Sequence, residues 1–255
     1  MIDDQTRELL RNYAARYEMA DFINGDPSWF MHQVDGDCNR EAMAFVAANL
    51  SYGSRKQFMP KVEWLREQAD GDMHSWILRG LFCDALPAGD CGCFYRLNTI
   101  GQMHSFLKAY HQLLAEHGSM GDWLREDIRI TDHEGGLHAI EHITEWFASH
   151  GSTGVVPKDA RSACKRICMF LRWMVRKDSP VDLGLWSDFI DCRSLIMPLD
   201  THVMQQSLRL GLLQSRSTSM SAAQRLSMAL AQIFPSDPLK GDFALFGYGV
   251  NTAHS

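Results

Sequence analysis

Long apolar runs are missing from this 255-residue chain: charges interrupt every apolar stretch well before the roughly 20 residues that a membrane span needs. Nor does a basic and apolar leader precede MIDDQTRELL, so a cytoplasmic protein without a membrane partner is expected. Alternation of β-branched residues is almost absent, which removes the period-2 signal of a half-buried sheet. Internal repeats and low-complexity linkers are lacking too. Cysteine is present without a pattern: Cys38, Cys83, Cys91, Cys93, Cys164, Cys168 and Cys192 are odd in number and repeat no C-x-x-C spacing. Free thiols are therefore expected rather than a disulfide framework, with no metal, iron–sulfur cluster or other cofactor. With 45% hydrophobic and 22% charged residues, the composition is that of a globular protein and not of a disordered, collagenous or coiled-coil one.

What the sequence has is helical periodicity nearly everywhere, which predicts an all-α fold. Helices are expected near 3–19, 39–51, 55–69, 72–80, 100–117, 137–149, 162–177, 201–211, 219–233 and 239–248. Turns are marked by Asn24-Gly25-Asp26-Pro27, Asp35-Gly36-Asp37, Ala88-Gly89-Asp90 and Gly151-Ser152-Thr153-Gly154.

The net charge of −6 argues against wholesale electrostatic binding of nucleic acid, but its distribution is uneven. Between Lys158 and Lys177, seven basic side chains are opposed by Asp159 alone, a local +6 against −12 for the remainder. Such a strip can hold a polyanion. Within it, Ile167, Phe170, Leu171, Met174 and Val175 form one apolar stripe, while Lys165, Arg172 and Arg176 fall on the opposite face with Met169. Ser162 reads as the N-cap, which places Lys165 in the first turn, where the exposed amides disfavour a cation. The plain alternative is a solvated basic face on a core helix. Further on, Pro198-Leu199-Asp200-Thr201-His202-Val203 opens a helix stopped by Gly211, and Asp200 reads as its N-cap. That geometry also leaves a carboxylate at the helix mouth.

Taken with Asp242-Phe243-Ala244-Leu245-Phe246-Gly247, these segments resemble an uncharacterised family of bacterial proteins of about this length. That family in turn looks like the helix-hairpin-helix GPD superfamily of DNA N-glycosylases. Glycosylases of that class place a lysine early in the second hairpin helix and an aspartate after a loop; Lys165 and Asp200 match those positions. Their 35-residue spacing is closest to the archaeal oxoguanine glycosylase type. Three features depart from the superfamily. The Leu-Pro-Gly-x-Gly hairpin is absent, with Arg161 and Ser162 where small residues would stand. The C-terminal cysteine quartet is missing. Gly241 interrupts the last helix where a larger residue is expected.

The resemblance implies a two-lobed fold, with a hairpin lobe over 38–178, a second lobe from 1–37 plus 179–255, and a cleft between them. It also implies a monomeric enzyme that excises a damaged purine, an oxidised pyrimidine or a hypermodified base, the last as a defence against phage. Asp200 would stabilise positive charge on the sugar or activate a water. Lys165 would attack the anomeric carbon where the enzyme also cleaves the strand. Arg161, Arg166, Arg172, Arg176 and His202 are the expected DNA contacts, and Tyr52, Phe94, Tyr95 and Arg96 the candidates for a base pocket. Two rivals remain at this stage. One is a helical nucleic-acid-binding protein without activity. The other is a zinc hydrolase at His138, Glu141 and His142, which match H-x-x-E-H, with His133 and Glu134 as further ligands.

Overall fold

A computed structural model describes residues 2–252. In chain order its α-helices are Asp4–Tyr17 (α1), Asp37–Leu50 (α2), Arg55–Gln68 (α3), Met73–Leu78 (α4), Phe82–Ala85 (α5), Ile100–His117 (α6), Met120–Asp127 (α7), Gly135–Ser149 (α8), Lys165–Val175 (α9), Thr201–Arg209 (α10), Met220–Ala231 (α11) and Lys240–Thr252 (α12). Short 3-10 turns cover Ala20–Ile23, Pro27–His32 and Cys192–Ser194. Every helix expected from periodicity is present. The short α5 and α7, and an antiparallel hairpin of Cys93–Tyr95 (β1) with Asn98–Thr99 (β2), were not expected.

The local chemistry explains the additions. Ser119 caps α7 by accepting the Asp122 amide, and the buried Glu41 carboxylate, far away on α2, accepts the amides of Met120 at 2.7 Å and Gly121 at 3.0 Å. A carboxylate on the exposed amides of a helix start satisfies donors that would otherwise be orphaned. An eight-residue helix too short to carry a clear period is thus fixed by a long-range contact.

The chain divides into two compact units. One comprises Ile23–Ile128 and Ala139–Asp159, the other Met1–Phe22, Arg129–His138 and Ala160–Ser255. The division differs from the expected lobes: 23–37 falls in the first unit, and 129–138 and 160–178 in the second. Ion pairs of Arg172 and Arg176 and a backbone bridge at Ser162 tie 160–178 to the terminal segments.

The first unit is built on α2, whose residues from Glu41 to Leu50 are all buried. Phe45 packs against Phe106, Tyr110 and Phe147 with ring centroids 5.1–5.7 Å apart, a range in which aromatic pairs attract beyond their burial. In the second unit α12 is the axis. Its glycines are contact points: a Cβ added to Gly241 would lie 2.5 Å from Leu230 on α11, one on Gly247 2.4 Å from the Tyr17 ring, and one on Gly249 2.2 Å from His202. Gly241 therefore does not interrupt the helix. It lets α11 approach. Phe22 closes the aromatic cluster, 4.9 Å from Phe243 and 5.1 Å from Phe246.

Candidate active site

Lys165 is the first residue of α9. The N-cap is Cys164 and not Ser162: Cys164 adopts a left-handed backbone (φ 43°, ψ 40°) and makes no side-chain cap bond. Ser162 instead forms an isolated antiparallel bridge with Ser219. Around that bridge the Ala163 amide donates to the Thr218 carbonyl at 2.7 Å, and the Met220 amide donates to that of Arg161 at 3.0 Å. The loop before α9 is thereby stitched to the start of α11. A non-glycine residue in this conformation is disfavoured, so the turn is held by its surroundings. The half-buried Lys165 lays its Nζ 3.6 Å from Met169 Sδ and makes no ion pair among the described residues.

Asp200 caps α10, as expected, its Oδ1 accepting the Val203 amide at 2.8 Å. The segment before it, from Leu195 to Leu199, is buried, and the Met197 amide donates to Ser227 Oγ at 2.8 Å. A buried, hydrogen-bonded approach holds the cap in place.

A third group joins these two. Asp242 lies in the first turn of α12 and accepts from Arg172 Nη1. Burial pushes its carboxyl above the ordinary carboxylate value; the Arg172 charge opposes this, the Asp200 charge adds to it and the Lys165 charge opposes it. Both expected site residues thus act on the same carboxyl. The charges of Lys165 and Asp200 are coupled to Asp242, which itself is bonded to Arg172, two turns along α9 from Lys165. Sequence reasoning had quoted the Asp242 segment as part of the resemblance without giving its carboxylate a role.

The expected DNA contacts divide sharply. Arg172 and Arg176 are only 3% and 2% exposed, so the exposed basic stripe they were expected to form does not exist. Arg172 Nε donates to Asp182 at 3.2 Å. Arg176 Nε donates to Asp237 at 2.9 Å, and its Nη atoms donate to Asp182 and Glu18. Both guanidinium groups lie over the Phe243 ring, 4.7 and 5.4 Å from its centroid. Burial alone would make Arg176 easier to deprotonate, but its bond to Asp237 and the charges of Asp182, Asp237 and Glu18 outweigh that and hold it more firmly charged than usual. Asp182 is raised by burial despite the two arginines. Neither arginine can neutralise a phosphate without unmaking this network.

Arg161 is exposed and Arg166 half-buried near the start of α9, each with interactions inside the chain. His202 is exposed on α10, one edge of its ring resting on Gly249. Tyr52, Phe94, Tyr95 and Arg96 belong to the other unit, where they form a cluster of their own around Gly53.

The H-x-x-E-H histidines have other occupations. His138 Nδ1 is 2.6 Å from Asp132 Oδ2, and His142 lies 3.9 Å from Asp127 with its ring against Trp123. Among the described residues no group of three His, Cys, Asp or Glu is placed to hold a metal ion.

A half-buried lysine and a capping carboxylate, both coupled to a buried carboxyl, are the ingredients of a nucleophile–carboxylate site. A family model described as a protein of unknown function (DUF2400) matches residues 26–251, and the chain belongs to that family. No curated protein and no solved structure matches it. No helix among the described residues is long and apolar enough to cross a membrane.

Proposed function

We propose that this protein is a DNA N-glycosylase that excises a modified base through Lys165 and Asp200, with strand cleavage following from a lysine adduct. The observation that carries this reading is that Lys165, the first residue of α9, and Asp200, the N-cap of α10, both act electrostatically on one buried carboxyl, Asp242. The glycosidic carbon is hidden in a base stack, so the target nucleotide must first be extruded. The Lys165 amine then attacks C1′ as the bond to the base breaks; the electron pair leaves with the base, and the proton freed from the nitrogen as the C–N bond forms passes to the departing base. Asp200, a carboxylate already fixed by its bond to the Val203 amide, stabilises the positive charge that develops on the sugar. Opening of the sugar ring yields a Schiff base on Lys165 from which the strand can be cut. Asp242, anchored by Arg172, fixes the electrostatics around the lysine.

The burial of Arg172 and Arg176 takes the same two DNA contacts from this reading and from a protein that merely binds nucleic acid, and the presence of both Lys165 and Asp200 favours the enzyme. The test is incubation with DNA carrying oxidised purines, oxidised pyrimidines or glucosylated hydroxymethylcytosine, followed by assay for abasic sites and breaks. Asp200→Asn keeps the cap and removes the charge, so folding survives while turnover falls by about 10²- to 10³-fold. Borohydride should trap a covalent adduct in the wild type and none in Lys165→Ala. Abasic sites formed by Lys165→Ala without an adduct would make water the nucleophile; full activity of Asp200→Asn on a confirmed substrate would remove Asp200 from the mechanism.

A further inference from the structure

A cavity of about 240 Å³ opens beside the end of α9, lined wholly by residues of the second compact unit. The buried Arg176 lines it, its guanidinium held on Asp237 through Nε at 2.9 Å and Nη2 at 2.7 Å. Val175 and Ile190 supply buried apolar lining, and Ile130 joins them although it is 45% exposed. The volume lies below the roughly 300 Å³ at which pockets for drug-sized ligands begin, so a fitting occupant is small.

The polar groups around this space are not balanced. Asp237 is taken up by Arg176, and Asp191 by Arg193, whose Nε donates to it at 2.7 Å. Lys177 and Lys240 also line the cavity, and neither makes an ion pair among the described residues. The hydroxyls of Ser187 and Ser236, two further lining residues, make no hydrogen bond among them either. Against these stands Asp178, the one lining carboxylate without a cation partner among the described residues. Donors and positive charge are therefore in excess.

The surroundings favour an anion there. The Leu183 amide donates to the Trp173 carbonyl and the Trp186 amide to that of Met174, both at 2.7 Å, so carbonyls at the end of α9 that would repel a negative charge are already occupied. Gly184, at φ 68°, packs on Lys177, where an added Cβ would lie 2.4 Å from the lysine Cα. Lys240 is half-buried and opens α12, where a cation is disfavoured unless an anion joins it. Cys192 is a neutral part of the lining and not a nucleophile: its thiol donates to the Ser236 carbonyl at 3.0 Å, and burial, with the charges of Asp237 and Asp191, pushes it up to about 11.

We infer that this cavity binds a small phosphate monoester, its dianionic head at Lys177 and Lys240 and its organic part against Val175 and Ile190. A phosphate monoester carries close to two negative charges at neutral pH and three acceptor oxygens, which suits two ammonium groups and two hydroxyls better than a carboxylate does. Lys165 lies about 15 Å back along α9 from Val175, so the cavity is separate from the candidate active site.

Calorimetric titration of the full chain with phenyl phosphate, inorganic phosphate and benzoate is the test. Phenyl phosphate should bind about tenfold more tightly than inorganic phosphate, because its ring buries apolar surface, and about tenfold more tightly than benzoate, which offers a single charge. Lys177→Gln and Lys240→Gln should each weaken it by about tenfold, with the circular dichroism and unfolding midpoint of the unliganded protein unchanged. Ser236→Phe, at an exposed lining position, keeps both lysines but fills the space, and should remove the preference for phenyl phosphate over inorganic phosphate. Arg161→Gln and Lys165→Gln should bind as the wild type does. No binding of phenyl phosphate at millimolar concentration would overturn the assignment, as would equal affinity for benzoate or binding indifferent to both lysine variants. A preference that survives Ser236→Phe would reduce the site to surface charge. Binding lost in Lys165→Gln and kept in Lys240→Gln would move the anion to the candidate active site and overturn it equally.

Discussion

The two ends of α9 treat the same kind of side chain in opposite ways. Lys165, at its start, is half-buried and makes no ion pair among the described residues, whereas Arg172, about one turn before its end, and Arg176, its C-cap, are buried among Glu18, Asp182, Asp237 and Asp242. All three lie on the polar side of one amphipathic helix. The difference comes from what covers them. Four carboxylates from α1's end, the loop after α9 and the approach and start of α12 neutralise the arginines, and nothing comparable reaches the lysine. A cation at a helix start is left available for chemistry, while cations further along have become part of the core.

Removing one side of the buried network tests this contrast most severely. Arg176→Ala leaves Asp182, whose side chain is fully buried, with Arg172 alone and strips Glu18 and Asp237 of their ion pairs with Arg176. Breaking such a pair by deleting one partner costs about 3–5 kcal/mol, to be read from chemical denaturation. A loss below about 1 kcal/mol would mean the arginine is not the keystone the ion pairs make it.

A smaller effect should appear in the pH dependence of stability. Asp182 and Asp242 are raised above their ordinary value of 3.8 in the folded protein. The folded state then holds protons that the unfolded chain has released, so this contribution is present at low pH and lost as pH rises through the folded values. Asp72, Asp132 and Asp191 are lowered and act with the opposite sign, losing stability only as pH falls below the ordinary range. The stability difference between wild type and Asp242→Asn should therefore move in the variant's favour as pH rises above the ordinary carboxyl value of 3.8. A difference constant with pH would show that Asp242 does not titrate as the site requires.

The smallest effect concerns salt. If the exposed Arg161 meets DNA and the buried arginines do not, Arg161→Gln should lower the slope of log affinity against log salt by about 0.9, one phosphate contact's worth. Arg172→Met, in whatever fraction folds, should leave it unchanged. A slope reduced by the arginine variant would mean that the network opens on binding.

Much of the fold was legible because helices announce themselves locally. Periodicity placed α1, α2, α6, α9 and α12 within a few residues, and Asp200 was readable as a cap because its partner, the Val203 amide, is three residues away. Where the deciding partner was remote, the reading failed. Ser162 looked like a cap until its bridge to Ser219 was seen, α7 depends on Glu41, and Gly241 looked like a break because Leu230 cannot be seen from its neighbours.

The same division separates what each level determined about this protein. By itself the sequence determined the helical class, the apolar face of α9, the cap at Asp200 and the pairing of Lys165 with Asp200 as a candidate site, since these depend on residues a few positions apart or on a motif. Tertiary structure alone decided that Arg172 and Arg176 are buried, that Asp242 pairs with Arg172, and that Leu97 stands exposed at the tip of a hairpin. A charge or a leucine carries no mark in the chain of whether it meets water. Exposure is fixed by what packs over it, and here the groups that do so lie up to 158 residues away.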